Sequence, residues 1–311
     1  MEAVLDAPER TFVEVAEVWV PDGDRLVLGG GTYGDRGAFA AASRDESFAE
    51  GEGLPGRAWA ERRPVVMKRF DPATFRRTEA ARAAGLTSGV AVPVFAGSRL
   101  RAVLTVLCAD GDGRTGAIEV WREREGTLAL LDGYYGAATH FEWVSRRTEF
   151  PRGQGLPGGV WASRTPMLLR DLGSGYRFVR AESAGQAGLT TGLGLPVPAP
   201  GGETYVLSLL SARGTPLARR FEIWDARTAR VGSERAARLV DGICAREGPL
   251  WDPDNAGNER AVRAWEGPVG QALGSGVPVV EGAAAANGYG SMVALPIHRD
   301  GALAHVVAWY T

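Results

Sequence analysis

GEGLPGRAWAERRPV, at residues 51–65, returns as GQGLPGGVWASRTPM at residues 153–167. A glycine-proline turn, a tryptophan and a second proline keep their places across 102 residues. Working outward, the agreement continues on both sides. Upstream, EVW at 17–19 answers to EVW at 119–121 and EIW at 222–224, and GGTYGDRGAF (30–39) answers to GYYGAATHF (133–141). Ser43 and Phe48 answer to Ser145 and Phe150. Downstream, FRRTEAARAAGLTSGVAVPV (75–94) answers to FVRAESAGQAGLTTGLGLPV (178–197). Self-similarity at a fixed long period is the signature of duplicated units.

A third, shorter copy follows. It keeps FEIW (221–224), GPVGQALGSGVPVVEG (267–282) and GYGSMVALPIHRDGALAHVVAWY (288–310). Pro278 and Pro296 are 18 residues apart, whereas Pro64 and Pro93 are 29 apart and Pro166 and Pro196 are 30 apart. The deleted stretch is the FxR…AGLT segment. An insertion, ARTARVGSERAA (226–237), reads as a short helix. Boundaries follow at 1–112, 113–216 and 217–311.

Each full copy reads as an α+β unit of about 100 residues, an antiparallel sheet with helices packed on it. FVEVAEVWV (12–20) and RLVLGGG (25–31) are β-rich runs split by PDGD, a hairpin turn signal. GLPG opens a helix, Pro64 starts the next strand, and residues 74–84 form a helix from a Thr cap to Gly85. VAVPVF and RLRAVLTVLCA make a second hairpin around AGS, in which Pro93 requires an edge or bulge position.

The succession GxGLPGxxW, Pro-led strand, FxRxExAxxAGL, then a strand with a central proline, resembles the GAF domain family. The likeness covers nearly the whole chain, once per copy, and is weakest in the third. It implies repeated small-molecule-binding sensory modules, or modules that mediate dimerisation. The family's long flanking helices have no counterpart. Only DGDGRTG separates the first two units, and only ARGTPLARR the second and third.

In the family, the segment at 70–88 and its partner at 171–191 roof the ligand pocket. The resemblance therefore makes Phe75, Arg77, Thr87 and Ser88 candidate ligand-binding residues in the first copy, with Tyr33 nearby. In the second copy the candidates are Asp171, Tyr176, Phe178, Arg180, Thr190 and Thr191, with Tyr135. Arginine beside an aromatic suits an anionic or planar ligand. The alternative is that Arg77 and Arg180 pair with Glu79 and Glu182 within their helices, on a solvated face, while the phenylalanines are core contacts. Loss of the segment from the third copy predicts that this copy has no pocket.

Several chemistries lack their residues. The chain has two cysteines, Cys108 and Cys244. Neither precedes a histidine as bilin attachment requires, and they are too few for a thiol-based methionine sulfoxide reductase. Cys108 answers to Ser211. His140, His298 and His305 are scattered, with no helical pair for zinc. GLPG lacks the pattern of a phosphate loop, so helix-start geometry is its better account. No metal or covalent cofactor is supported, and none is named. No catalytic residue is assigned.

The 311 residues are 45% apolar and carry a net charge of −2, with the signs mixed, which points away from nucleic acid and anionic membranes. MEAVLDAPERTFVEV carries acids where a secretion signal carries bases, so a cytoplasmic protein is expected. The repeats leave no room for an output domain. The resulting expectation is a non-enzymatic, bacterial-type regulatory protein that binds an unidentified small molecule and signals through a protein partner. A homodimer is compatible with the family. The alternatives are a scaffold whose pockets are filled by side chains, and, further off, a reductase of the sulfoxide kind.

Overall fold

The computed structural model describes residues 11–111, 113–174, 178–252, 260–282 and 288–311. The chain builds three antiparallel sheets in succession. In the first, β1 (Val13–Asp22), β2 (Arg25–Thr32), β3 (Ser47–Ala49), β4 (Val65–Met67), β5 (Ser88–Ala96) and β6 (Arg99–Cys108) lie in the order β3-β2-β1-β6-β5-β4. Helices α1 (Gly37–Arg44), α2 (Gly53–Glu61) and α3 (Thr78–Ala83) cover one face.

The second unit repeats this. Strands β7 (Thr115–Arg124), β8 (Thr127–Gly136), β9 (Glu149–Pro151), β10 (Met167–Arg170), β11 (Leu189–Pro198) and β12 (Thr204–Ala212) take the same order. They carry α4 (Thr139–Ser145), α5 (Gly155–Ser163) and α6 (Ala181–Gln186). The third unit keeps β13 (Arg220–Asp225), β14 (Arg230–Val231), β15 (Glu234–Cys244), β16 (Gly248–Pro249), β17 (Ala261–Arg263), β18 (Val279–Gly282), β19 (Ser291–Arg299) and β20 (Ala302–Tyr310), with α7 (Gly267–Ser275). Among the described residues no helix lies in either connection between sheets.

Residues 226–237 correct the helical expectation. They form the β14–β15 turn, with Gly232 at φ 62° and, in the strand that follows, Ala236 and Ala237 buried between exposed neighbours. Backbone pairing with β17 decides their conformation against the local helix preference. The helix expected from residue 74 begins only at Thr78. Asp71 explains the delay. Its carboxylate accepts from the Ala73 N–H and its carbonyl from the N–H groups of Thr74 and Phe75, which holds 71–75 in a turn. Pro93 sits where expected: β4 pairs with β5 only as far as Ala91, so no ladder partner waits for the N–H that proline lacks.

GLPG shapes a helix start. Gly53 and Gly155 have φ near +60°, and a Cβ on Gly56 or Gly158 would collide with the carbonyl oxygen of Ala49 or Pro151. Gly267 and Gly270 repeat both features in the third unit, against Arg263.

Alternation along the strands sends residues to two different cores. In β1, Val15 and Trp19 face the first unit's own helices, while Ala16 and Val18 face away from them. The outward set meets its counterparts from the other sheets. Val92, Leu104, Leu195, Leu207, Leu295 and Val307 belong to one cluster shared by all three units. Strands β5, β11 and β19 touch one another there. The three sheets thus stand around a common core in pseudo-threefold fashion, helices outside. Both sheet faces are dry, which is why β5 reads as an unbroken apolar run.

Candidate functional site

On the helix side of the first sheet, β1 projects Glu17 and Trp19 toward the segment that leads into α3. Arg77 reaches down from that segment and is only 5% exposed. Its Nη2 donates to Glu17 Oε2 at 2.9 Å, and its Nη1 donates to Glu17 Oε1 and to Ser43 Oγ. The carboxylate also accepts from Trp19 Nε1 (3.2 Å), Thr105 Oγ1 (3.2 Å) and the Tyr33 hydroxyl (3.2 Å). The guanidinium lies 4.7 Å from the Phe39 ring centroid and 5.3 Å from that of Phe75. A charge taken fully out of water must be paired and hydrogen-bonded to be tolerated, and both ends of this pair are.

The second unit repeats the arrangement, except that Ser208, at the position of Thr105, makes no bond to the carboxylate. Arg180 Nη2 donates to Glu119 Oε2 at 2.9 Å, and its Nη1 to Glu119 Oε1 and Ser145 Oγ. Trp121 Nε1 and the Tyr135 hydroxyl donate to the same carboxylate at 3.2 and 3.1 Å. Phe141 and Phe178 flank the guanidinium at 4.6 and 5.1 Å. Burial first, then the neighbouring carboxylate, pushes the hydroxyls of Tyr33 and Tyr135 well above the ordinary tyrosine range. Both stay protonated and donate.

The third unit lacks the segment that carries the arginine, yet keeps Glu222 and Trp224. Trp224 Nε1 donates to Glu222 Oε2 at 3.0 Å, and Tyr310 on β20 donates its hydroxyl to the same oxygen at 3.3 Å. The cation comes from the same strand: Arg220 Nε donates to Glu222 Oε1 at 2.6 Å, and Arg220 is shared with Glu247.

The structure therefore gathers Tyr33, Phe75 and Arg77 at one point and Tyr135, Phe178 and Arg180 at another. It leaves the hydroxyl candidates elsewhere. Ser88, at the start of β5, and Thr191, its counterpart on β11, lie away from the two arginines, and Thr190 and Thr191 line a cavity between the second and third sheets. Thr87 precedes β5, with its N–H on the Cys108 carbonyl. Asp171 is an exposed turn residue at φ 56°. Tyr176 lies outside the described residues. The helical partners considered for the arginines are otherwise engaged or remote: Glu79 pairs with Arg82 on the surface, and Glu182 is exposed.

Glu17, Glu119 and Glu222 are the residues that the sequence reading overlooked. Their signal was the E-[VI]-W triplet itself, an acid placed once per copy two residues before the tryptophan and so on the same face of the strand. The cysteines are well separated in role. Cys108 is in the shared core, where burial raises its thiol far above the usual range, and Cys244 faces Tyr289 in the third unit. Among the described residues no group of three or more His, Cys, Asp or Glu could hold a metal ion, and no helix is long and apolar enough to cross a membrane.

Residues 1–120 match the family model of the GAF domain. Among solved structures, the chain is similar to the GAF domain of A. aeolicus nlh2 in an inactive state (22% identity over 32% of this chain and 60% of that one, TM-score 0.26). It is also similar to fRMsr of Staphylococcus aureus in complex with substrate (20%, 31% and 56%, TM-score 0.25) and to the GAF-B domain of DevS from Mycobacterium smegmatis (19%, 32% and 62%, TM-score 0.24). The match spans less than two thirds of the length of each of these three chains. No curated protein matches the chain. Residues 1–120 thus match a GAF domain, and the second sheet repeats the strand order of the first, so the chain builds a tandem array of GAF-like units.

Proposed function

We propose that this protein is a non-enzymatic regulatory GAF array that acts on a protein partner in trans, with the clefts of its first two domains closed by their own side chains. The observation that carries this reading is the pair of buried Glu17–Arg77 and Glu119–Arg180 clasps. A ligand seeking either guanidinium would have to displace a bidentate carboxylate. Leaving such a carboxylate buried without its cation costs about 3–5 kcal/mol. That lowers the affinity of any competing anion by roughly 10²- to 10⁴-fold. Rigid clefts of this kind suit a module that presents surfaces to a partner. The absence of a cysteine pair, and the raised thiol of Cys108, speak against reductase chemistry.

A second reading, in which the clefts bind a small molecule, draws on one specific feature. The Nε–H groups of Arg77 and Arg180 are both buried without a hydrogen-bond acceptor among the described residues. One small acceptor in each cleft would satisfy them.

Native mass spectrometry of the chain purified from its own host separates the two. The closed-cleft reading expects the mass of the bare chain, and a stoichiometric protein partner in affinity capture. An excess small-molecule mass that vanishes in the Glu119→Leu/Arg180→Met double variant would overturn it in favour of the second.

A further inference from the structure

The first two domains repeat one another closely, so a surface position at which they disagree shows what one of them has gained. They disagree sharply along the rim made by the end of α1 or α4, the short strand β3 or β9 and the start of α2 or α5. In the first domain this rim reads RDESFAEGEG (44–53), one cation among four acids. In the second it reads RRTEFPRGQG (146–155), three cations and one acid. Asp45 and Glu50 have become Arg147 and Arg152, and all four positions are exposed.

A charge network seals the rim of the first domain. Arg76 pairs with Glu46 at 3.2 Å and with Glu52, and Glu52 also holds Arg25 at 2.9 Å. At the equivalent positions of the second domain stand Val179, Thr148, Gln154 and Thr127. Val179 is 60% exposed, and a Cβ on Gly155 would meet its Cγ2 at 3.3 Å, which sets it over the start of α5. On α4, Ala41 has become Trp143, 53% exposed. The stacked rings of Phe141 and Phe178, and the bond from Arg180 to Ser145, hold α4 beside the segment that carries Val179. Trp143 lies between two inward residues of α4, and Val179 between the inward Phe178 and Arg180, so both face outward. The indole is ordered in advance. The Arg147 guanidinium lies 4.1 Å over it, and the His140 ring stacks on it at 6.0 Å.

We infer that this rim docks an acidic segment of a protein partner, one that carries apolar side chains among its Asp and Glu residues. Such docking rests on the chain's acting on a partner in trans, and supplies the place and the chemistry. Single exposed apolar residues are ordinary. Here an ion-pair network has given way to valine, an alanine to tryptophan, and the charge around them has changed sign. Tryptophan and arginine dominate binding at interfaces, and side chains already held in place lose little freedom on binding. Stacking engages the face of a guanidinium and leaves its edge N–H groups for carboxylates. Arg147 on Trp143, and Arg152 at 5.5 Å from the Trp161 ring, are set in this way. A nucleic acid would meet the same cations. However, a chain of net charge −2 gives a long polyanion no general attraction, and Val179 offers a base nothing to stack on.

The test is selection of a random peptide library, displayed on phage, against the full chain. The counter-target is the variant Trp143→Ala/Arg147→Asp/Arg152→Glu/Val179→Arg, which copies the first domain at four exposed positions and should keep the thermal midpoint. Peptides rich in Asp and Glu with interspersed Leu, Phe or Trp are expected. A synthetic copy of the most frequent one should bind this variant more weakly than the parent chain by about tenfold or more. Its binding to the parent should also weaken in high salt. Trp143→Ala alone should weaken it severalfold, which guards against misfolding of the fourfold variant. No enrichment, enrichment of basic peptides, or equal binding to both variants would overturn the inference. So would polyuridylate RNA bound tightly by the parent and lost in the fourfold variant, in favour of nucleic acid. A stoichiometric native partner that binds the fourfold variant unchanged would overturn the docking surface and leave the regulatory reading standing.

Discussion

The first two domains and the third solve one problem with different parts. All three bury a glutamate beside a tryptophan on the central strand of the sheet. In the first two the cation descends from the segment before α3 or α6, so that a single ion pair ties the helix layer to the sheet, and both side chains are almost wholly buried (2% and 0% exposed). In the third the cation is Arg220, two residues along the same strand, and it is shared with the half-exposed Glu247. The comparison teaches that the glutamate is part of the sheet. It survives loss of the helical segment because a nearer arginine and the Tyr310 hydroxyl have replaced what was lost.

The largest expected effect tests that difference directly. Arg180→Ala leaves Glu119 buried without its cation and should cost about 3–5 kcal/mol in denaturant unfolding. Arg220→Ala should cost only about 1–3 kcal/mol, since Arg220 is partly exposed and divided between Glu222 and Glu247, so water can reach what it leaves. Joint replacement of Glu119 by Leu and Arg180 by Met removes both charges and should recover most of the first loss. A smaller cost for Arg180→Ala than for Arg220→Ala would break the comparison.

How much of this could be read beforehand follows from the distance over which each constraint acts. The repeat was plain because Trp19, Trp121 and Trp224 mark equivalent strands, and turns such as PDGD act locally. The arginines were noticed for the right reason, an aromatic neighbour, but their partner lies about sixty residues away on another element. Glu79 and Glu182, two residues along the chain, were the nearer choice and proved irrelevant. The shared core was hidden differently. Valines on one face of β5 and Ala91 and Phe95 on the other announce that both are covered, yet nothing local says that the second cover is two more sheets. Residues 226–237 misled because their alanines and arginines favour a helix in isolation, while pairing with β17 overrides that preference.

The third sheet also differs in its buried histidines, and this gives a middle-sized effect. His298 and His305 occupy the positions of Phe95 and Ala102 in the first sheet. Burial holds both down at about 4, with Arg101 and Arg235 adding to the effect on His298. For His305, Arg227 and Arg299 act in the same direction and Asp225 opposes. The unfolded chain takes up these protons near pH 6.5, well before the folded one. Their contribution is therefore complete above about pH 6.5 and is lost as the pH falls toward 4, by about 1–3 kcal/mol in all. Denaturant midpoints at pH 7 and pH 5 should converge in His298→Phe/His305→Ala, which copies the first sheet. An unchanged pH dependence in that variant would detach the effect from these residues.

The smallest effect concerns how the ring of sheets is held. Lys68 on the first unit faces Asp132 on the second at 3.3 Å, and Arg170 on the second faces Asp241 on the third at 2.6 Å, the same pair by register. At the closing interface the equivalent positions are Gly282 and Gly30, and Val280 packs where a Gly30 side chain would begin. One interface of three thus closes without the ion pair, so the pair is an accessory to the shared apolar core. Asp241→Ala should then cost less than about 1 kcal/mol, as partly exposed pairs do, and the cost should shrink in high salt. A loss of several kcal/mol, insensitive to salt, would mean that the first two interfaces rest on charge and only the third on apolar contact. The pseudo-threefold would then be one of shape and not of energetics.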